Sequence, residues 1–147
     1  MNEIHMKEAL REAQKAFKKN EVPIGCVAVL NDKVIARGHN IRETKQDPLA
    51  HAEIICIKKA AKKMGGWHLN NIVLYTTLEP CLMCAGAMIH AKIRNVVIGA
   101  NSPDNGAGRL LKKYNVKLTR GILKKECRGL LKEFFGKLRE KEGCPSG

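Results

Sequence analysis

The chain has no run of 18 or more apolar residues, so no membrane-spanning helix is expected. Its opening, Met1-Asn2-Glu3-Ile4-His5-Met6-Lys7, lacks the apolar stretch of a secretory leader. A cytoplasmic location is the expectation, and there the six cysteines stay reduced. Internal repeats, low-complexity tracts and linkers are missing, so residues 1–147 are expected to form one domain, frayed at its last few residues. A second Cys-x-x-Cys is missing as well. A structural zinc knot normally closes with four ligands, and the usual second pair is not there. Acidic residues are scarce: 14 Asp and Glu stand against 27 Lys and Arg, a formal net charge of +13. Such an excess speaks about partners rather than fold, and it fits a polyanion such as RNA. A solvated lysine-rich surface is the plainer alternative.

What is present suffices for a packed core, at 44% hydrophobic residues. Ile4, Ala9, Leu10, Ala13, Ala16 and Phe17 recur at three- and four-residue steps and predict a helix over residues 3–19. Two apolar runs, 27–30 and 34–36, flank Asn31-Asp32-Lys33 and predict a hairpin. A second helix is expected from about Ala50 to Met64, stopped by Gly65-Gly66, with Lys58, Lys59, Lys62 and Lys63 as a basic edge. Residues 72–75 read as a strand, Cys81 to about Ala91 as a helix, and 96–99 as another strand. A short helix at 109–114, an edge strand at 116–118 and a last helix from about Ile122 to Glu140 complete the chain. Leu123, Cys127, Leu130, Leu131, Phe134, Phe135 and Leu138 make one apolar stripe on that last helix. Strands alternating with helices after an opening hairpin imply an α/β layered domain on a mixed sheet of about five strands.

The chemistry is carried by His51-Ala52-Glu53 and Pro80-Cys81-Leu82-Met83-Cys84. Catalytic zinc typically takes three protein ligands and keeps a fourth position for water. His51, Cys81 and Cys84 are the candidate metal ligands, one Zn2+ per chain. Cys81 and Cys84, at i and i+3, share a helix face and can grip one ion. Zinc lowers the pKa of its bound water from ~15.7 to about 7, which supplies hydroxide at neutral pH. Glu53 is left over beside the metal and is the candidate proton shuttle. This H-x-E…P-C-x-x-C order is the signature of zinc deaminases acting on nucleobases. Asn40, after a strand, is a candidate substrate contact or a plain turn residue. His39 and His90 read as structural. Cys26, Cys56 and Cys127 read as buried small hydrophobes, and Cys144 as an exposed thiol in the tail.

Three blocks go beyond the zinc signature: Glu21-Val22-Pro23-Ile24-Gly25-Cys26-Val27, Asp47-Pro48-Leu49-Ala50-His51-Ala52-Glu53-Ile54, and the long run from Leu74 through Thr77-Leu78-Glu79-Pro80-Cys81 to His90. With these the chain closely resembles the bacterial-type tRNA-specific adenosine deaminase family. The resemblance implies a cytidine deaminase-like three-layer fold with helices on both faces of the sheet. It also implies a homodimer, and conversion of adenosine to inosine at the wobble position of a tRNA anticodon loop. It carries Asn40 over as a substrate contact. The chain departs from that family where Ser102 stands in place of an acidic residue, and in a shortened segment after Gly108. The compact C-terminal half is more like the deaminase domain of riboflavin biosynthesis. Two alternatives therefore stay open: a deaminase of a free base, nucleoside or nucleotide (guanine, cytosine or a pyrimidine intermediate), and a tRNA cytidine-to-uridine deaminase.

Overall fold

A computed structural model describes residues 2–141 of the chain. Cys144 and the rest of the tail lie outside the described residues. The elements run in order α1 (Asn2–Lys18), β1 (Gly25–Leu30), β2 (Lys33–His39), α2 (Arg42–Lys45), α3 (Ala52–Met64) and β3 (Val73–Leu78). There follow α4 (Leu82–His90), β4 (Asn95–Ala100), α5 (Gly108–Lys113), β5 (Lys117–Arg120) and α6 (Lys124–Lys141). The expected helices and strands are all present, with bounds shifted by a few residues. The one element that hydrophobic periodicity did not announce is α2, inside the polar stretch 41–49.

The sheet order is β2-β1-β3-β4-β5. β1 pairs antiparallel with β2 and with β3, whereas β3–β4 and β4–β5 are parallel. The antiparallel part follows from the hairpin, whose two turn residues, Asn31 and Asp32, both have positive φ (48° and 67°). That is the primed-turn geometry, which matches strand twist and suits Asn and Asp. The parallel part needs crossovers, and α4 and α5 supply them.

Alternation along the strands divides the core in two. Cys26, Ala28, Leu74, Val96 and Ile98 face α3, α4 and α5. Val27, Val29, Tyr75 and Val97 face α1 and the Cys127 turn of α6. Both faces of the sheet are thus covered, and the mixed sheet with helices on both sides is borne out. Cys26, Cys56 and Cys127 are buried free thiols, as expected. The α6 stripe is covered only in part. Only Cys127 of its seven residues is buried, and Phe135 and Leu138 stay 41% and 39% exposed. α6 packs on β4 and β3 through its Cys127 turn and meets α1 through Phe134 against Phe17.

Two glycines set how closely the helices approach. A Cβ on Gly25 would run into the Ala9 carbonyl oxygen of α1, and one on Gly38 would sit 2.5 Å from the Ala52 carbonyl oxygen of α3. These neighbouring strand positions let one helix close on each face. The second brings the start of α3 down onto the sheet end where the candidate site lies.

Candidate active site

His51 and Cys81 occupy equivalent places: each is the N-cap of a helix, in extended backbone conformation. Neither uses its side chain as the cap. The Asn40 side-chain oxygen accepts the Ala52 N–H at 2.7 Å instead. That leaves the His51 ring free to point across to α4. Nδ1 of His51 lies 3.7 Å from Sγ of Cys81 and 3.6 Å from Sγ of Cys84. All three donor atoms fall within 4.8 Å of one another, and no fourth His, Cys, Asp or Glu joins the group among the described residues. Two helix N-termini converge here, and their positive ends favour thiolate sulfur.

The donor set fits a metal ion. Bonds of about 2.3 Å to sulfur and 2.0 Å to nitrogen in a tetrahedral arrangement put sulfur and nitrogen ~3.5 Å apart, close to the observed spacing. Without an ion the burial would be costly. Desolvation pushes the Cys84 thiol far up, and the Glu53 carboxylate and Cys81 add to the effect. Burial also holds the His51 imidazole below its ordinary value, with Arg42 adding to it, which keeps the ring neutral and able to coordinate.

Glu53 sits in the first turn of α3 and is 4% exposed. Burial pushes its carboxyl up to about 7, against the opposing pull of its own N–H and the Cys84 and Thr76 side chains. It lines a pocket of about 160 Å3 together with His51, Cys81, Asn40 and Arg42. The structure therefore brings all five predicted site residues, His51, Glu53, Cys81, Cys84 and Asn40, to one place. His39 is elsewhere and structural: its Nδ1 meets the buried Glu12 carboxylate at 2.9 Å. His90 is exposed at the far end of α4.

Sequence reasoning missed the residues that shape the mouth. Glu79, ahead of the cysteine pair, accepts the N–H groups of Ser102 (3.1 Å) and Gly108 (3.0 Å) and an Arg120 guanidinium N–H (3.4 Å). It thereby ties the 101–107 loop and β5 to the metal segment. Burial alone would raise its pKa, but those donors hold it below the usual carboxylate range. The glycines beside it leave room for this tie: a Cβ on Gly106 would meet the Glu79 carboxylate and the Ser102 carbonyl oxygen, and one on Gly108 the Arg120 guanidinium and the Glu79 carboxylate. Ser102 and Asn105 of that loop line the pocket. Arg42 was missed too, since a lone arginine in a polar stretch carries no spacing signal. Val22 and Ile24, in the pocket wall, lie inside the Val-Pro-Ile-Gly block that carried the resemblance.

Fold and site together define a deaminase of the cytidine deaminase-like type. The family model described as MafB19-like deaminase matches residues 1–139. The tRNA-specific adenosine deaminase of Bacillus subtilis (strain 168) is 46% identical, over 96% of this chain and 92% of that protein. A solved tRNA:A34 deaminase, described in work on A-to-I editing at the wobble position of transfer RNA, superposes with a TM-score of 0.81 at 38% identity. It covers 86% of this chain and 98% of its own. A guanine deaminase from Bacillus subtilis is more distant, with a TM-score of 0.65 at 33% identity over 78% of this chain and 70% of that one. The chain belongs to the MafB19-like deaminase family and, within those relatives, to the tRNA-specific adenosine deaminases.

Proposed function

We propose that the chain is a zinc-dependent hydrolytic deaminase that converts adenosine to inosine at the wobble position of tRNA. The observation that carries this reading is the convergence of His51 Nδ1, Cys81 Sγ and Cys84 Sγ beside the buried Glu53 carboxylate. Three protein donors leave a metal's fourth position to water, the catalytic rather than the structural pattern. The names of the relatives supply the tRNA substrate, and the +13 charge is in keeping with it.

When bound by His51, Cys81 and Cys84, zinc would supply a water acidic enough to be a nucleophile at neutral pH. The rest falls to the chain. Glu53 takes a proton from the attacking water and delivers it to the ring nitrogen of the base. It then takes the remaining proton from the hydroxyl newly bonded to the ring carbon and passes it to the amine as the C–N bond breaks, so that water and adenosine become inosine and ammonia. A buried carboxyl beside the attacking water can do both, as a positioned general base and then acid. Asn40, whose oxygen is fixed on Ala52 and which lines the pocket, serves in this reading as a donor to the substrate through its amide nitrogen. The base must leave the anticodon loop to enter, which single-stranded loop RNA permits. The same reading includes a single domain, a cytoplasmic location and a homodimer. Leu49 and Leu82, 52% and 70% exposed beside His51 and Cys81, are in keeping with a partner surface there.

The test is nucleoside mass spectrometry of total tRNA after incubation with the zinc-loaded protein, against Glu53→Ala. New inosine at a wobble position is expected. Uridine from cytidine would keep RNA editing and change the base. No change in any nucleoside, with ammonia released from free guanine, would replace the reading by the guanine deaminase chemistry of the more distant neighbour.

A further inference from the structure

Between the edge strand β2 and α3 runs a groove of about 530 Å3, separate from the pocket that holds His51 and Glu53. Arg37, Lys59, Lys62 and Lys63 line it over an apolar floor of Val34, Ile35 and Ala36, and no carboxylate is among its lining residues. Arg37 is engaged by Glu8 at 2.7 Å. Lys59, Lys62 and Lys63 are exposed, and none is ion-paired among the described residues. They stand at i, i+3 and i+4, on one helix face, where like charges repel. β2 is paired on one side alone and forms one wall of the groove as an edge strand. An arrangement of crowded cations, without an acid to offset them, is complementary to a run of phosphates.

Its place on the molecule narrows the ligand. Lys59 and Lys63 lie seven and eleven residues beyond Ala52, about 10 and 17 Å along α3 from the turn that carries Glu53. That is farther than the nucleotide whose base enters the pocket reaches by itself. We propose that the groove binds the phosphodiester backbone of the RNA substrate outside the loop being edited, as a contact that reads charge and not sequence. This rests on the RNA reading of the site, but it concerns a surface that takes no part in the chemistry.

The experiment compares wild type with Lys59→Ala/Lys62→Ala/Lys63→Ala and with the matching triple lysine-to-arginine variant. Binding of fluorescently labelled full-length tRNA and of its isolated anticodon stem-loop is followed by anisotropy across a salt series. Single-turnover deamination is measured on both. The alanine triple should bind full-length tRNA at least tenfold more weakly, with the slope of log K against log salt reduced by about two to three. At saturating RNA it should deaminate both RNAs at the wild-type rate, and the arginine triple should keep the affinity. Unchanged tRNA affinity and slope would overturn the proposal, as would a lower rate at saturating RNA. An acidic peptide that the wild type binds and the alanine triple does not, with RNA binding intact in both, would also overturn it. If wild type binds tRNA through these lysines yet makes no inosine, the groove stands and the reading of the pocket falls.

Discussion

At the scale of single residues, the site separates holding from reacting. His51, Cys81 and Cys84 offer ring nitrogen and sulfur to one point, while Glu53, two residues past His51, has no place in the donor group. On the proposed mechanism Glu53→Gln should keep its metal, by elemental analysis, and lose at least about a thousandfold in kcat. Residual activity within tenfold of wild type would take Glu53 out of the proton path. These residues were legible because each motif is contiguous: two or three residues on the first turn of a helix need no knowledge of the fold to be placed. For Asn40 the residues alone left two readings open, and the family resemblance chose between them. Its structural role, accepting the Ala52 N–H so that the N-cap His51 is left free, depends on a contact across twelve residues that no local pattern shows. Buried Glu21 is similar. Its carboxylate accepts the Thr44 N–H and hydroxyl, both at 2.6 Å, and the Glu43 N–H at 3.1 Å, which caps α2 from outside. Burial raises its pKa, but these donors and Arg42 outweigh that and leave it below 4.5. A carboxyl depressed in the folded state binds fewer protons there than in the unfolded chain at low pH. Its contribution is therefore complete above the unfolded value and is lost as pH falls through the folded one. Glu21→Gln should cost about 1–3 kcal/mol at pH 7, and less than that in urea titrations near pH 3. A constant difference across that range would deny the charge any part in the capping.

At the scale of elements, helix positions rest on two close approaches. Gly38 meets α3 at the Ala52 carbonyl oxygen (2.5 Å) and the Cys56 nitrogen (2.9 Å), both backbone atoms that cannot swing aside. Gly38→Ala should therefore push the first turn of α3 off the sheet. We expect a loss of about 1–3 kcal/mol in urea unfolding together with a drop in kcat, since that turn carries Glu53. Gly129→Ala is the counterpart: its Cβ would meet nothing within 4 Å in α6, so stability should be kept or gain up to ~1 kcal/mol. If both variants behaved alike, the closeness of α3 to β2 would not be what fixes the site. The short helix α2 shows why one element escaped the sequence. It has no buried residue and no side-chain cap of its own, so neither periodicity nor a capping motif announces it. The stripe of α6 shows the opposite failure, in which periodicity announces a buried face that the neighbouring elements reach only in part. The tie between Glu79, the 101–107 loop and Arg120 joins residues 41 positions apart, and a sequence carries no mark of such a pairing.

For the whole molecule, the site joins two elements of one core: α3 and α4 pack on the same face of the sheet, and their starts hold the donors. A metal there links elements whose sequence positions lie thirty apart, and it binds the folded chain in preference to the unfolded one. Its removal should therefore lower stability by an amount that grows with the logarithm of free metal, RT ln(1 + [metal]/Kd), ~4 kcal/mol at a thousandfold excess over Kd. If the chain is one cooperative domain, far-ultraviolet circular dichroism and fluorescence of Trp67, in the loop after α3, should report the same midpoint with and without metal. Dialysis against a chelator should move both midpoints down together, and returning zinc should restore them. Cys81→Ala should show the low midpoint from the start and gain little from added zinc. A midpoint unmoved by chelation would mean that His51, Cys81 and Cys84 are preorganised by packing alone. Separate midpoints for the two probes would mean instead that α3 and its metal segment open before the sheet does.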